Sequence, residues 1–166
     1  MEKKFELTDN FVINAFGIKL FQIKCTKSFK YANEGDLGGY VEKEDNLSQS
    51  GDAWVSGNAQ VYGDAQVSGD AQVSGNAWVS GDAQVSGNAR VENNHMHCGF
   101  DCFGSCNRHT HAYKTKGNKV EITCGCFRGS LEEFEKKVEE THKGTIYEKQ
   151  YKAIINLIKI KFGIDG

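Results

Sequence analysis

Gly51-Asp52-Ala53-Trp54-Val55-Ser56 opens a tract in which Gly-(Asp/Asn)-Ala-x-Val-(Ser/Tyr/Glu) recurs seven times without a gap, with units starting at Gly51, Gly57, Gly63, Gly69, Gly75, Gly81 and Gly87. Alternation decides the conformation. Ala53 and Val55 fall on one face of an extended segment, Trp54 and Ser56 on the other. The Gly-Asp or Gly-Asn pair supplies a corner, because glycine accepts positive φ and Asx side chains bond back to the backbone. One hexapeptide is therefore one short strand and one corner. Such a strand cannot bury its Ala and Val alone. Three of them make a coil of 18 residues, and successive coils stack about 4.8 Å apart.

Continuing the frame upstream predicts that Val41 and Leu47 take inward Ala positions and Leu37 an inward Val position. Residues 33–50 then form an imperfect extra coil. Exposed strand edges at a coil end need a cover. Phe11 to Cys25 reads as two strands around a turn near Gly17 and is assigned as that cap. The predicted organisation is a β cap over residues 1–32, a repeat coil over 33–94 and a separate unit over 95–166.

The repeat resembles the hexapeptide-repeat family, whose members form left-handed parallel β-helices. The resemblance implies that hand, against the right-handed rule for ordinary crossovers, and it implies a homotrimer. Many of these relatives are acyltransferases and some are zinc carbonic anhydrases, and both chemistries need histidine. No His precedes His95, and residues 51–92 also lack Cys, Lys and Thr. The coil therefore reads as a scaffold and not as a catalytic centre; a degenerate acyltransferase relative is the alternative. Outward residues 18 apart stack in rows: Trp54, Gln72 and Arg90; Gln60 and Trp78; Gln66 and Gln84. Exposed Trp54 and Trp78 predict contact with a partner, with burial under the chain's own flanks as the alternative; Arg90 belongs to the same contact surface.

Composition excludes several classes. Net charge is −2 and charged residues are 25% of the chain, which supports neither disorder nor a nucleic-acid-binding tail. No apolar run approaches the roughly 18 residues that cross a membrane, and no apolar segment follows the first lysines as in a signal peptide. A reducing cytosol is the expected compartment, where cysteines serve as thiols or metal ligands.

At Asn93 the composition changes. Four of the five His and five of the six Cys lie between His95 and Cys126, which raises metal binding. Ala112 to Ile122 reads as a hairpin turning at Gly117-Asn118. In that register His111 faces Cys124 and His109 faces Cys126, a candidate Cys₂His₂ zinc site. A one-residue slip would turn two of the four away. Cys98, Cys102 and Cys106 form a second candidate set, and a small core with reduced Cys and surface His is the third reading. Arg108 and Arg128 can hold an anionic ligand. A further alternative makes Cys124 or Cys126 a nucleophile with His109, His111 or His142 as base. Two helices follow. Ser130 with Glu133, and Thr145 with Glu148, fit capping boxes. Leu131, Phe134 and Val138 stripe the first helix; Tyr147, Tyr151, Ile154, Ile155, Ile158 and Phe162 stripe the second, which Gly163 stops.

Three stretches together, Gly35-Asp36-Leu37-Gly38-Gly39-Tyr40-Val41-Glu42, the Gly-Asp-Ala-x-Val-Ser array and Cys124-Gly125-Cys126-Phe127-Arg128-Gly129-Ser130-Leu131-Glu132-Glu133-Phe134, resemble a set of small bacteriophage and prophage proteins. Those relatives often read Gly-Ser-Arg-Asn before the hairpin; here Cys106 stands in that run and Arg108 is displaced. The extra Cys and His of residues 95–111 depart from that pattern too. The resemblance implies an accessory protein made in the bacterial host cytoplasm that binds and inhibits a host protein, such as a defence component, or sequesters a signalling molecule.

Overall fold

The computed structural model describes residues 2–164. The chain is mainly β with two C-terminal helices, and it divides into two compact units, Met1–Asn94 and His95–Gly166.

In the first unit β1 (Phe5–Ile13) and β2 (Lys19–Cys25) are antiparallel, and β2 pairs antiparallel with β3 (Leu37–Val41). Asn14 Oδ1 accepts from the Phe16 and Ile18 amides and shapes the intervening turn. Seven two-residue strands follow, one per repeat unit: β4 (Trp54–Val55), β5 (Gln60–Val61), β6 (Gln66–Val67), β7 (Gln72–Val73), β8 (Trp78–Val79), β9 (Gln84–Val85) and β10 (Arg90–Val91). They form three parallel ladders, β4-β7-β10, β5-β8 and β6-β9, each stepping 18 residues. Every repeat Ala and Val is buried, at 2% exposure or less. Burying a Val contributes roughly 1.5–3 kcal/mol, so stacked Val is the main apolar term of the coil. Each repeat glycine has φ between 60° and 71°. Glycine also sits over glycine. A β-carbon on Gly51 would lie 2.7 Å from the Gly69 carbonyl oxygen, so both conformation and stacking demand glycine.

The coil does extend upstream, with a step of 20 residues instead of 18. Tyr40 and Val41 pair with Gln60 and Val61, and Leu47 bridges Val67. Val41 and Leu47 are thus buried beneath Val, not at Ala positions, and Leu37 is exposed, which corrects its inward assignment. The two additional residues lie between Leu47 and Val55. Gln49 in that stretch accepts from the Lys4 and Phe5 amides at 2.8 and 3.2 Å and donates to the Phe5 carbonyl at 3.1 Å. The insertion therefore fastens the N-terminal strand.

Each of the three sides of the coil has its own end cover. On one side β2 pairs with β3, so the cap sheet continues into the ladder, in the order β1-β2-β3-β5-β8. On the second, buried Asn46 donates to the Gly63 and Ala65 carbonyls at 3.0 and 2.9 Å. On the third, Lys4 Nζ donates to the Gly51 and Ala53 carbonyls at 3.2 and 2.8 Å. Burial pulls the Lys4 pKa down to about 8.

The second unit is an antiparallel sheet of β11 (His97–Phe103), β12 (Arg108–Lys114), β13 (Val120–Cys124) and β14 (Phe127–Ser130), followed by α1 (Leu131–His142) and α2 (Ile146–Phe162). The predicted capping box at Ser130 and Glu133 is present. Thr145 caps α2, but Glu148 bonds the Gly144 amide in place of the cap's own. Ala112, Ile122 and Cys124 on the sheet pack with Leu131, Phe134, Val138, Tyr151, Ile154, Ile155 and Ile158 in one core.

The β12–β13 register differs from expectation by one residue. Thr110 faces Cys124 and His111 faces Thr123. The loop has three residues, not two. The Asn118 amide donates to the Thr115 carbonyl, and Asn118 itself has φ +58°, the left-handed residue of a three-residue hairpin.

Candidate functional site

That register separates the four residues expected to bind zinc. Side chains alternate across a strand. Thr110 and Cys124 point to the helices, where Thr110 Oγ1 donates to Cys124 Sγ at 3.3 Å. His109 and His111 point to the opposite face. Cys126 lies in the turn between β13 and β14. The Cys₂His₂ set is not assembled, and among the described residues no three His, Cys, Asp or Glu side chains are grouped to hold a metal ion.

The far face carries a file of histidines instead. His97 Nδ1 lies 3.2 Å from His111 Nε2, His109 Nε2 lies 3.3 Å from His111 Nδ1, and His109 Nδ1 bonds Asp101 Oδ1. With neutral rings the protons have one order. Asp101 accepts, so His109 donates to it and accepts from His111, which accepts from His97. His97 and His109 touch opposite nitrogens of His111, so the three cannot converge on one ion. Gly99 makes room: a β-carbon there would lie 2.6 Å from His109 Cε1. His111 is buried at 2% exposure, and burial, then His97 and His109, hold its pKa well below the usual histidine value. His97 and Asp101 were not singled out by spacing, although the i, i+2, i+4 series His97-Gly99-Asp101 places them on one face. Arg128 shares this face and pairs with Glu121, which also accepts from the Tyr113 hydroxyl.

On the helix side, Arg108, Cys124, Cys126 and His142 do meet, around a cavity of about 240 Å³. Cys124 and Phe127 pair across a two-residue turn whose first residue, Gly125, has φ +59°, as a type II′ turn requires. The turn carries Cys126 to the rim. Arg108 crosses over Gly125; a β-carbon there would lie 2.8 Å from Arg108 Cδ and 3.0 Å from Cζ. Cys106 and Cys126 beside the guanidinium, Cys106 foremost, hold its pKa above the usual value. The His142 ring stacks on Tyr151, with centroids 5.4 Å apart, and meets Tyr147 edge-on. Tyr151 is pushed up to about 12 by burial and by Cys124, so its hydroxyl stays protonated at neutral pH. Of the second cysteine set, only Cys106 lines this cavity. Cys98 packs against the core and burial pushes its thiol up to about 11; Cys102 is exposed.

On the coil the rows stack as expected, Trp54 with Gln72 and Arg90, and Gln60 with Trp78. Trp54 is not an exposed surface. It is 5% exposed and packs edge-on against Phe29 at 5.4 Å, covered by the chain's own flank. Trp78 is 42% exposed. Arg90 Nε pairs with Glu92 at 2.7 Å.

A family model described as the YdcK beta solenoid repeat matches residues 65–81 and 83–96. The similarity lies in the coil and its immediate end. It supports a repeat β-helix-like architecture there. No curated protein matches the chain.

Proposed function

We propose that this chain is a non-enzymatic binding protein of bacteriophage type, in which a left-handed hexapeptide β-helix trimerises and presents the C-terminal unit to a protein or signalling molecule of the bacterial host. One observation carries the reading: the division of chemistry between the units. The coil interior is Ala and Val, and residues 51–92 hold no His, Cys, Lys or Thr. The nitrogen and sulfur groups gather in residues 95–142, on a unit with its own core. Hand and trimer come from the resemblance to hexapeptide-repeat proteins, and host and compartment from the phage resemblance. Exposed Trp78 is the coil residue that suits a subunit contact. Three linked copies would strengthen attachment through effective concentration.

Light scattering tests the assembly. The expected mass is three times the 18.4 kDa of the chain, and Trp78→Ala should shift it towards monomer. A monomer that captures nothing from host lysate counts against the whole reading.

A second reading is a thiol enzyme in the C-terminal unit, favoured by Cys126, His142 and Arg108 around one cavity. It requires a Cys126 that reacts with iodoacetamide faster than free cysteine at neutral pH. Equal or slower alkylation removes it.

A further inference from the structure

The cavity beside the β13–β14 turn has an unbalanced lining. Arg108, Lys137 and His142 border it, and no Asp or Glu does. Among the described residues, none of the three is ion-paired with a carboxylate. Lys136, Arg128 and Lys152, by contrast, pair with Glu140, Glu121 and Glu148. The positive charge of Arg108 and Lys137 thus meets no carboxylate in the lining. The floor is apolar and aromatic. Phe127 and Phe134 lie 5.1 Å apart and Val138 adjoins them.

Arg108 lies across the Gly125 backbone, where a β-carbon would meet its side chain at 2.8 Å from Cδ. A planar guanidinium fork at the mouth of an apolar recess recognises an anionic group by paired hydrogen bonds. Low-dielectric walls strengthen that attraction. The volume of about 240 Å³ is below the roughly 300–1,000 Å³ of drug-sized sites. It suits one ring and one anionic group, and it is too small for a peptide or a dinucleotide.

We propose that this cavity binds a small organic anion, with a phosphate or carboxylate against Arg108 and a compact apolar body on Phe127 and Phe134. The proposal rests on the C-terminal unit being the recognition unit. Trimer mass and host capture test that reading without any small anion, so the two can fail separately.

Phenyl phosphate is the probe, titrated into the full chain and followed by amide NMR, with inorganic phosphate and phenol as its halves. Amides of Arg108, Cys126, Phe127 and His142 should shift together, and phenyl phosphate should bind at least tenfold tighter than either half. Arg108→Gln should weaken it tenfold or more. Lys137→Gln, at an exposed helix position that leaves the fold intact, should weaken it severalfold and flatten its dependence on salt. Arg128→Gln, on the other face of the sheet, should change nothing. Equal binding of phenyl phosphate and inorganic phosphate, shifts that map elsewhere, or an Arg108→Gln or Lys137→Gln protein with unchanged affinity would each overturn the proposal.

Discussion

His111 shows how one side chain reports its surroundings. The ring is buried among two other imidazoles and is held neutral well below the usual histidine range. Its folded pKa is lowered, so the folded state binds fewer protons than the unfolded chain once pH falls below about 6.5, the unfolded value. The stability it contributes is fully present above that pH and is lost progressively as pH falls towards the folded pKa. The urea midpoint should therefore drop between pH 7 and pH 5. His111→Gln, which keeps a donor and an acceptor but cannot titrate, should show a smaller drop over the same interval. An identical pH dependence in the two proteins would mean that the acid sensitivity arises elsewhere.

At the scale of elements, the ends of the coil and the hairpin decide where side chains go. Alternation along Ala53 to Val91 is enough to read which face is inside, because each unit repeats the same choice seven times. It is silent on the step of the extra coil. The two residues inserted between Leu47 and Val55 carry no hydrophobic signal, and their purpose appears only in the bonds from Gln49 to the backbone of Lys4 and Phe5. Gln49→Ala leaves these three backbone groups to find other partners, which should cost about 2 kcal/mol, measured by urea unfolding. A loss below about 0.5 kcal/mol would mean that solvent replaces the side chain fully. The hairpin register is hidden for a related reason. Gly117-Asn118 looks like a two-residue turn, but the Thr115 amide bonds the Lys119 carbonyl and the Asn118 amide the Thr115 carbonyl, which puts a third residue, Lys116, in the loop. One residue of register moved His109 and His111 away from Cys124 and dissolved the zinc site. The cavity beside Arg108 was partly legible, since Arg108, Cys126 and His142 were candidates. Lys137 and Tyr151 were not, because they come from two helices whose placement no local pattern encodes.

At the scale of the molecule, a coil in which each strand bonds the strand 18 residues on depends on phase more than on length. Removing residues 75–80 takes out one whole strand and corner, so every remaining Ala and Val still faces inwards. Removing residues 75–79 throws each downstream Val onto the outer face. The six-residue deletion should keep a cooperative thermal transition and the wild-type β circular dichroism. The five-residue deletion should lose both. A five-residue deletion that folds like wild type would show that the coil tolerates slippage, and the inward pattern would not be what holds it.

The same equivalence of units has a genetic side. Where the seven nearly identical hexapeptides share codons, their coding stretches can misalign during replication and recombination. Such slips add or remove whole units, and each unit is already a complete strand with its corner. Gene errors that would ruin most proteins therefore become changes in coil height here, and copy number becomes a heritable dimension that selection can adjust without redesigning either end.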